Sequence, residues 1–207
     1  MSDGSSILLE SARTYLARGY AVIPVPARKK IPVLKGWTDL RLSESDLPAH
    51  FNGTGNIGVL LGEPSGWLVD VDLDCEEAVA LAPKFLPPTG AMSGRPGKPA
   101  SHWWYVCEGI KTRKHQDPVS KKMIVELRST GAQTVVGPSI HPSGEPYDPL
   151  DGEPAVVDAG ELAAAVAALA DAVTEARHGR KERPRSQPEA LGTPTFLAGN
   201  ALLRRAA

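Results

Sequence analysis

Apolar and polar positions along this chain repeat with two periods, and the changes between them mark out its elements. Ile7, Leu8, Ala12, Tyr15 and Leu16 recur at helical spacing. A helix is therefore expected from a Ser5 or Ser6 cap to about Arg18, ended by Gly19. Residues 20–25 read as a strand, with Pro24 marking its end or a sheet edge. Arg28-Lys29-Lys30-Ile31-Pro32 is a basic turn, and Ser43 can cap a short helix through Phe51. Residues 57–61 and 66–73 read as strands joined by the turn Glu63-Pro64-Ser65-Gly66, so an antiparallel hairpin is expected. A short helix over 76–81 stops before Pro87-Pro88. Residues 93–99 read as a flexible basic loop, and 102–106, 123–127 and 133–136 as strands. A Gly/Pro-rich loop over 137–149 precedes an Ala-rich helix over 161–177. Its stripe of Leu162, Val166, Leu169 and Val173 is expected to dock only lightly. From His178 to Pro194 the composition is that of a linker.

Strands interleaved with helices, with hairpins among them, predict an α+β fold rather than a doubly wound parallel sheet. The expected organisation is a motif-bearing domain over 1–158, an acidic Ala-rich helix over 159–177, and a basic Pro-rich linker and tail over 178–207.

Composition sharpens this picture in three places. The 207 residues are 42% hydrophobic, enough for one substantial core. The formal net charge of -1 hides a strong asymmetry. Residues 91–130 carry eight Lys and Arg against three acids, whereas 145–175 carry eight acids and no Lys or Arg. The two cysteines, Cys75 and Cys107, fit neither a C-x-x-C metal site nor a disulfide framework, and the chain reads as cytoplasmic. No signal peptide is visible, and no apolar run approaches the ~20 residues that span a bilayer.

The chemistry concentrates on two strands. In Val69-Asp70-Val71-Asp72-Leu73 the apolar residues can enter a core while Asp70 and Asp72 point together the other way. Two carboxylates on one strand face suit a divalent metal, or simply face solvent. Glu126 is the polar member of the apolar strand Ile124-Val125-Glu126-Leu127. Either Arg128 or Lys122 neutralises it, or it joins the two aspartates around metal. Clustered acids repel, so removing one is expected to hold or raise the melting temperature. His102 is either a core or surface residue or a donor to phosphate. Of Trp103, Trp104 and Tyr105, at least one must face away from the others, where it can stack on a base. Ser139 and His141 lie in the 137–149 loop, either in local turn contacts or against a ligand.

The order of these blocks resembles the N-terminal catalytic domain of the bifunctional DNA primase/polymerase family, in the archaeo-eukaryotic primase superfamily. The resemblance runs from about Ala12 to about Tyr147. It rests on residues 18–25 with Lys30-Ile31-Pro32 and Gly36-Trp37, then Asn56-Ile57-Gly58-Val59 with Gly62, then Asp70-Val71-Asp72. Ala100-Ser101-His102, Val125-Glu126 and residues 137–144 complete it. It implies an RRM-like palm of mainly antiparallel strands with flanking helices. It further implies a nucleotidyl transferase acting on nucleoside triphosphates, a primer strand and a single-stranded DNA template. Asp70, Asp72 and Glu126 would hold two Mg²⁺ or Mn²⁺ ions. His102 would contact the incoming triphosphate, with Lys30, Arg95, Lys98 and Arg128 as further phosphate contacts and Ser139 and His141 near nucleotide or template. The resemblance also admits a helicase module or other replication proteins as partners, and no membrane. The chain departs from many relatives in its long 93–99 loop and in having Glu at 126. A metal-dependent nuclease and a non-catalytic single-stranded DNA or origin-binding module are the rival readings.

Overall fold

The computed structural model describes residues 3–179 and shows an α+β fold of two mainly antiparallel sheets with four α-helices. The linker and tail expected from 180 onward lie outside the described residues. Helix α1 (Asp3–Ala17) starts before the expected serine caps. It ends where Gly19, at φ +83°, turns the chain so that its N–H reaches Leu16 O at 2.9 Å. Leu8, Ala12 and Tyr15 are buried as the periodicity requires, but Ile7 is 53% exposed.

A small sheet has the order β1-β2-β8, from β1 (Val22–Val25), β2 (Asn56–Leu60) and β8 (Gln133–Val136). Pro24 sits on edge strand β1, where its missing N–H breaks no ladder. The larger sheet runs β4-β5-β3-β7-β6: β4 (Met92–Arg95), β5 (Lys98–Val106), β3 (Leu68–Leu73), β7 (Met123–Arg128) and β6 (Arg113–Gln116). The short β9 (Ala155–Val156) adds to β5 in parallel. Helix α2 (Leu47–His50) is a single turn near α1.

Two expectations about connection are corrected. β2 and β3 do not form a hairpin; they belong to different sheets, and only a single bridge, Gly62–Leu68, joins their ends. Gly62 at φ +75° and Gly66 at φ +62° redirect the chain between them. Gly62→Ala is expected to lower the melting temperature. Its new Cβ would stand 2.1 Å from Thr130 Oγ1 and 2.3 Å from Thr130 N. The left-handed conformation alone costs about 1–3 kcal/mol for a residue with a side chain. An unchanged thermal transition would mean that the Thr130 turn yields freely. The second correction concerns residues 93–99, which are no flexible loop but the tight β4–β5 hairpin. Backbone pairing leaves Ser93 opposite His102 and Arg95 opposite Lys98.

Val69, Val71 and Leu73 of β3, with Trp103, Tyr105, Val125 and Leu127, form one face of the large sheet. Helices α3 (Glu76–Phe85) and α4 (Ala159–His178) cover that face. Light docking of α4 is corrected: Leu162, Ala163, Val166, Leu169, Ala170 and Val173 are all buried there. Alanines between the larger residues let the helix approach the sheet closely. The opposite face meets the small sheet, and there Trp104 packs with Val22, Ile57, Val59 and Leu61. Trp104 does face away from its two aromatic neighbours, but it is fully buried and its indole N–H donates to Ser93 Oγ at 2.9 Å. It is therefore a core residue with no face open to a base.

Candidate active site

Register across three neighbouring strands builds the site. Asp72 on β3 stands opposite His102 on β5 and Glu126 on β7; one step deeper, Asp70 stands opposite Trp104 and Arg128. Because strand neighbours in register share a face, these side chains all leave the face opposite α3 and α4. Thr134 of the small sheet reaches across to meet them, donating to Asp70 Oδ2 at 2.6 Å. The site thus lies at the seam between the sheets, in a cleft of about 500 Å³. Lys30, Arg95, Lys98, His102, Glu126, Arg128 and Asp72 all line it.

Asp72 and Glu126 come together with a third acid, and that acid is Asp74 rather than Asp70. Oxygens of Asp72, Asp74 and Glu126 lie within 4.8 Å of one another, which suits a metal ion. Asp74 follows β3 directly and continues the alternation Asp70-x-Asp72-x-Asp74, a signal that reading the strand only to Leu73 misses. Burial and the neighbouring Asp72 charge both push the Asp74 carboxyl above its ordinary range.

Asp70 is fully buried and committed to protein partners. His102 Nδ1 lies 3.0 and 3.2 Å from its two oxygens, and Arg128 lies 3.7 Å away. Burial alone would raise the Asp70 carboxyl; the His102 charge and hydrogen bond, with Arg128 and Thr134, outweigh it and hold it below the usual range. His102 responds in the opposite sense. Burial would lower it, but Asp70 and Asp72 raise it above an ordinary histidine. With Nδ1 turned to Asp70, Nε2 has no protein hydrogen-bond partner among the described residues.

The acids are already surrounded by cations. Arg128 donates to Asp72, to Glu126 at 2.9 Å and to Thr134 at 3.3 Å. Of the two neutralisers considered for Glu126, it is Arg128, with Lys114 at 3.2 Å also present; Lys122 is not paired to it. Lys98 Nζ lies 3.5 Å from Asp74 and 3.7 Å from Asp72. Burial lowers the Lys30 ammonium, and the neighbouring Lys98, Arg95 and Arg128 lower it further against the pull of Asp72. Arg95 is held by Glu145 of the distal loop.

Ser139 and His141 do not line the cleft. Ser139 is buried, its Oγ accepting the Ile57 N–H at 2.8 Å, and His141 Nδ1 bonds Ser143 at 2.7 Å. The His141 contact is local to the loop, whereas the Ser139 hydroxyl ties the loop to strand β2. Thr134, Lys114 and Asp74 are the site residues that the sequence pattern did not single out. Among the described residues no helix is long and apolar enough to cross a membrane.

Comparison with curated proteins finds no match. A family model does match: that of the bifunctional DNA primase/polymerase, N-terminal domain, over residues 12–171, from α1 into α4. That span holds every strand of both sheets and every lining residue of the cleft, and the chain belongs to the bifunctional DNA primase/polymerase N-terminal family.

Proposed function

We propose that this domain adds nucleotides from nucleoside triphosphates to a strand on a single-stranded DNA template, as a primase, a polymerase or both. The reaction joins a strand's terminal hydroxyl oxygen to the α-phosphate and releases pyrophosphate. The observation that carries the reading is the meeting, in one cleft, of three acids within 4.8 Å with Lys30, Arg95, Lys98 and His102 around them. An all-carboxylate donor set suits hard divalent cations, Mg²⁺ or Mn²⁺, and the protein cations now gathered on those oxygens mark the same demand for positive charge. In this reading Asp72, Asp74 and Glu126 hold the ions. When bound, they neutralise and align the reacting oxygens.

The chain's own residues do the rest. Asp70 fixes the His102 ring and favours its protonated form, in which Nε2–H is presented to a phosphate oxygen of the incoming nucleotide. Lys30 and Lys98 add charge beside it, and Arg95, fixed by Glu145, presents a guanidinium from the hairpin. Arg128 holds Asp72 and Glu126 in register instead of contacting phosphate. A nuclease would need no such excess of cations for a triphosphate, and a pure DNA-binding module would gain nothing from acids facing a phosphate backbone. Single-stranded DNA, a primer strand and nucleoside triphosphates are the partners in this reading, with a helicase or other replication module as a further one.

The test is incubation with single-stranded DNA, labelled nucleotides and Mg²⁺ or Mn²⁺, with and without a primer. Strand synthesis is expected, and its absence under every combination would overturn the reading. His102→Ala is expected to raise KM for the nucleotide roughly ten- to a hundredfold, the worth of one charge-assisted hydrogen bond at ~1.5–3 kcal/mol. Template affinity should hold. An unchanged KM would return His102 to a structural role.

A further inference from the structure

We propose that residues 28–35 form a preformed rim on which unpaired bases of the template strand lie as they enter the cleft. This rests on the nucleotidyl-transfer reading above. Residues 26–36 contain neither helix nor strand, yet three large aliphatic side chains stand exposed within four positions: Ile31 at 73%, Val33 at 80% and Leu34 at 43%. Single exposed apolar residues are ordinary; a cluster beside a functional cleft points to a partner. Ile31 itself lines the cleft with Asp72 and Glu126.

The charge around this cluster is one-sided. No Asp or Glu occurs between Glu10 and Asp39, whereas Arg28, Lys29, Lys30 and Lys35 flank the aliphatic group. Arg28, Lys29 and Lys35 are exposed and make no ion pair among the described residues. Aliphatic faces for bases beside cations for phosphates match a single strand, whose bases are open on both faces. Duplex DNA hides those faces in its stack.

The rim is held in place. Gln133 donates to Lys30 O at 2.6 Å, Asn56 donates to Lys29 O at 3.1 Å, and Pro32 is buried between the exposed Ile31 and Val33. Little ordering remains to oppose binding. Cations inside the cleft serve the triphosphate, which leaves the outer rim to the template.

Two variants separate base contact from phosphate contact: Val33→Ser with Leu34→Ser, and Lys29→Ala with Lys35→Ala. The probe is a fluorescent oligothymidine strand, titrated by anisotropy across a salt series. The aliphatic pair is expected to weaken binding roughly tenfold with the salt slope unchanged. The lysine pair is expected to reduce the slope of log affinity against log salt by about 1.4. Melting temperature should hold in both, because the altered side chains are exposed. KM for the nucleotide at saturating template should hold as well. Unchanged strand affinity in both variants, with a wild-type protein that extends primers, overturns the rim while sparing the nucleotidyl-transfer reading. Wild-type protein that neither binds the strand nor makes product overturns both. Loss of binding to phosphatidylserine vesicles in the variants, with strand affinity intact, would assign the rim to an anionic membrane and overturn the proposal.

Discussion

Asp72→Ala is expected to abolish nucleotide addition. Asp72 is the acid at the centre of the site, sharing its oxygens with the Asp74 and Glu126 group and standing in register with His102. Losing a ligand that holds ions against the transferred phosphate removes several kcal/mol of charge stabilisation. At 1.36 kcal/mol per decade, about 4 kcal/mol is a loss of roughly 10³-fold or more. Single-turnover primer extension reads the chemistry, and Mn²⁺ titration of the protein without DNA reads the site itself. Glu126→Ala and Asp74→Ala should behave alike in both. Asp70→Asn should differ: its carboxylate acts on His102 across 3.0 Å, so KM for the nucleotide should rise with Mn²⁺ affinity largely kept. If Asp70→Asn instead loses the ion and Asp74→Ala keeps it, the metal group is Asp70, Asp72 and Glu126, as the D-x-D pattern first implies. Normal synthesis by Asp72→Ala would end the assignment of the site.

The same substitution shows where reading the chain alone goes astray. Three acids on adjacent strands look mutually repulsive, and relief of repulsion predicts a stable or stabilised variant. In the fold, Arg128 spans Asp72 and Glu126 while Lys98 and Lys114 approach from the sides. Removing Asp72 leaves a half-buried guanidinium short of a partner, so the melting temperature is expected to fall. Period-two alternation was enough to place Asp70, Asp72 and Glu126 on polar faces of apolar strands, and the order of the blocks was enough to indicate the family. Which strands lie side by side was not legible locally. β2 and β3 look like a hairpin until their long-range partners, β8 for one and β5 and β7 for the other, are known. β6, Arg113-Lys114-His115-Gln116, has no apolar residue to announce a strand and owes its conformation to pairing with β7. Ser139 offered no local sign of whether its hydroxyl would meet a ligand or the Ile57 N–H 82 positions away.

A chain ending at residue 158 is expected to lose cooperative folding, while one ending at Gly179 keeps it. Leu162, Val166, Leu169 and Val173 are fully buried against the β3, β5 and β7 face that backs the site. At about 1.5–3 kcal/mol each, they contribute about 6–12 kcal/mol of apolar burial. That is comparable to the whole stability of an ordinary domain, about 5–15 kcal/mol. Both ends of α4 are fastened. Asp158 accepts the Gly160 and Glu161 N–H groups at 2.8 and 3.0 Å. At the other end Arg177 grips Glu77 of α3 through two bonds of 2.9 and 2.8 Å and reaches Asp117 at 3.2 Å, where His178 also binds at 2.9 Å. That far end should loosen in acid. The Arg177 hydrogen bonds hold the Glu77 carboxyl down at about 2, and backbone N–H groups with His178 and Arg177 hold Asp117 below its ordinary range. Carboxylates held low in the folded state stabilise it fully above their unfolded values, and that share is lost as pH falls from about 4.5 towards 2. Circular dichroism melts of the two chains, with primer extension by the longer one, decide the matter. A chain of 158 residues that melts cooperatively near the full-length temperature would show that the sheet holds its own face closed, and that α4 is an addition to the catalytic fold rather than one of its walls.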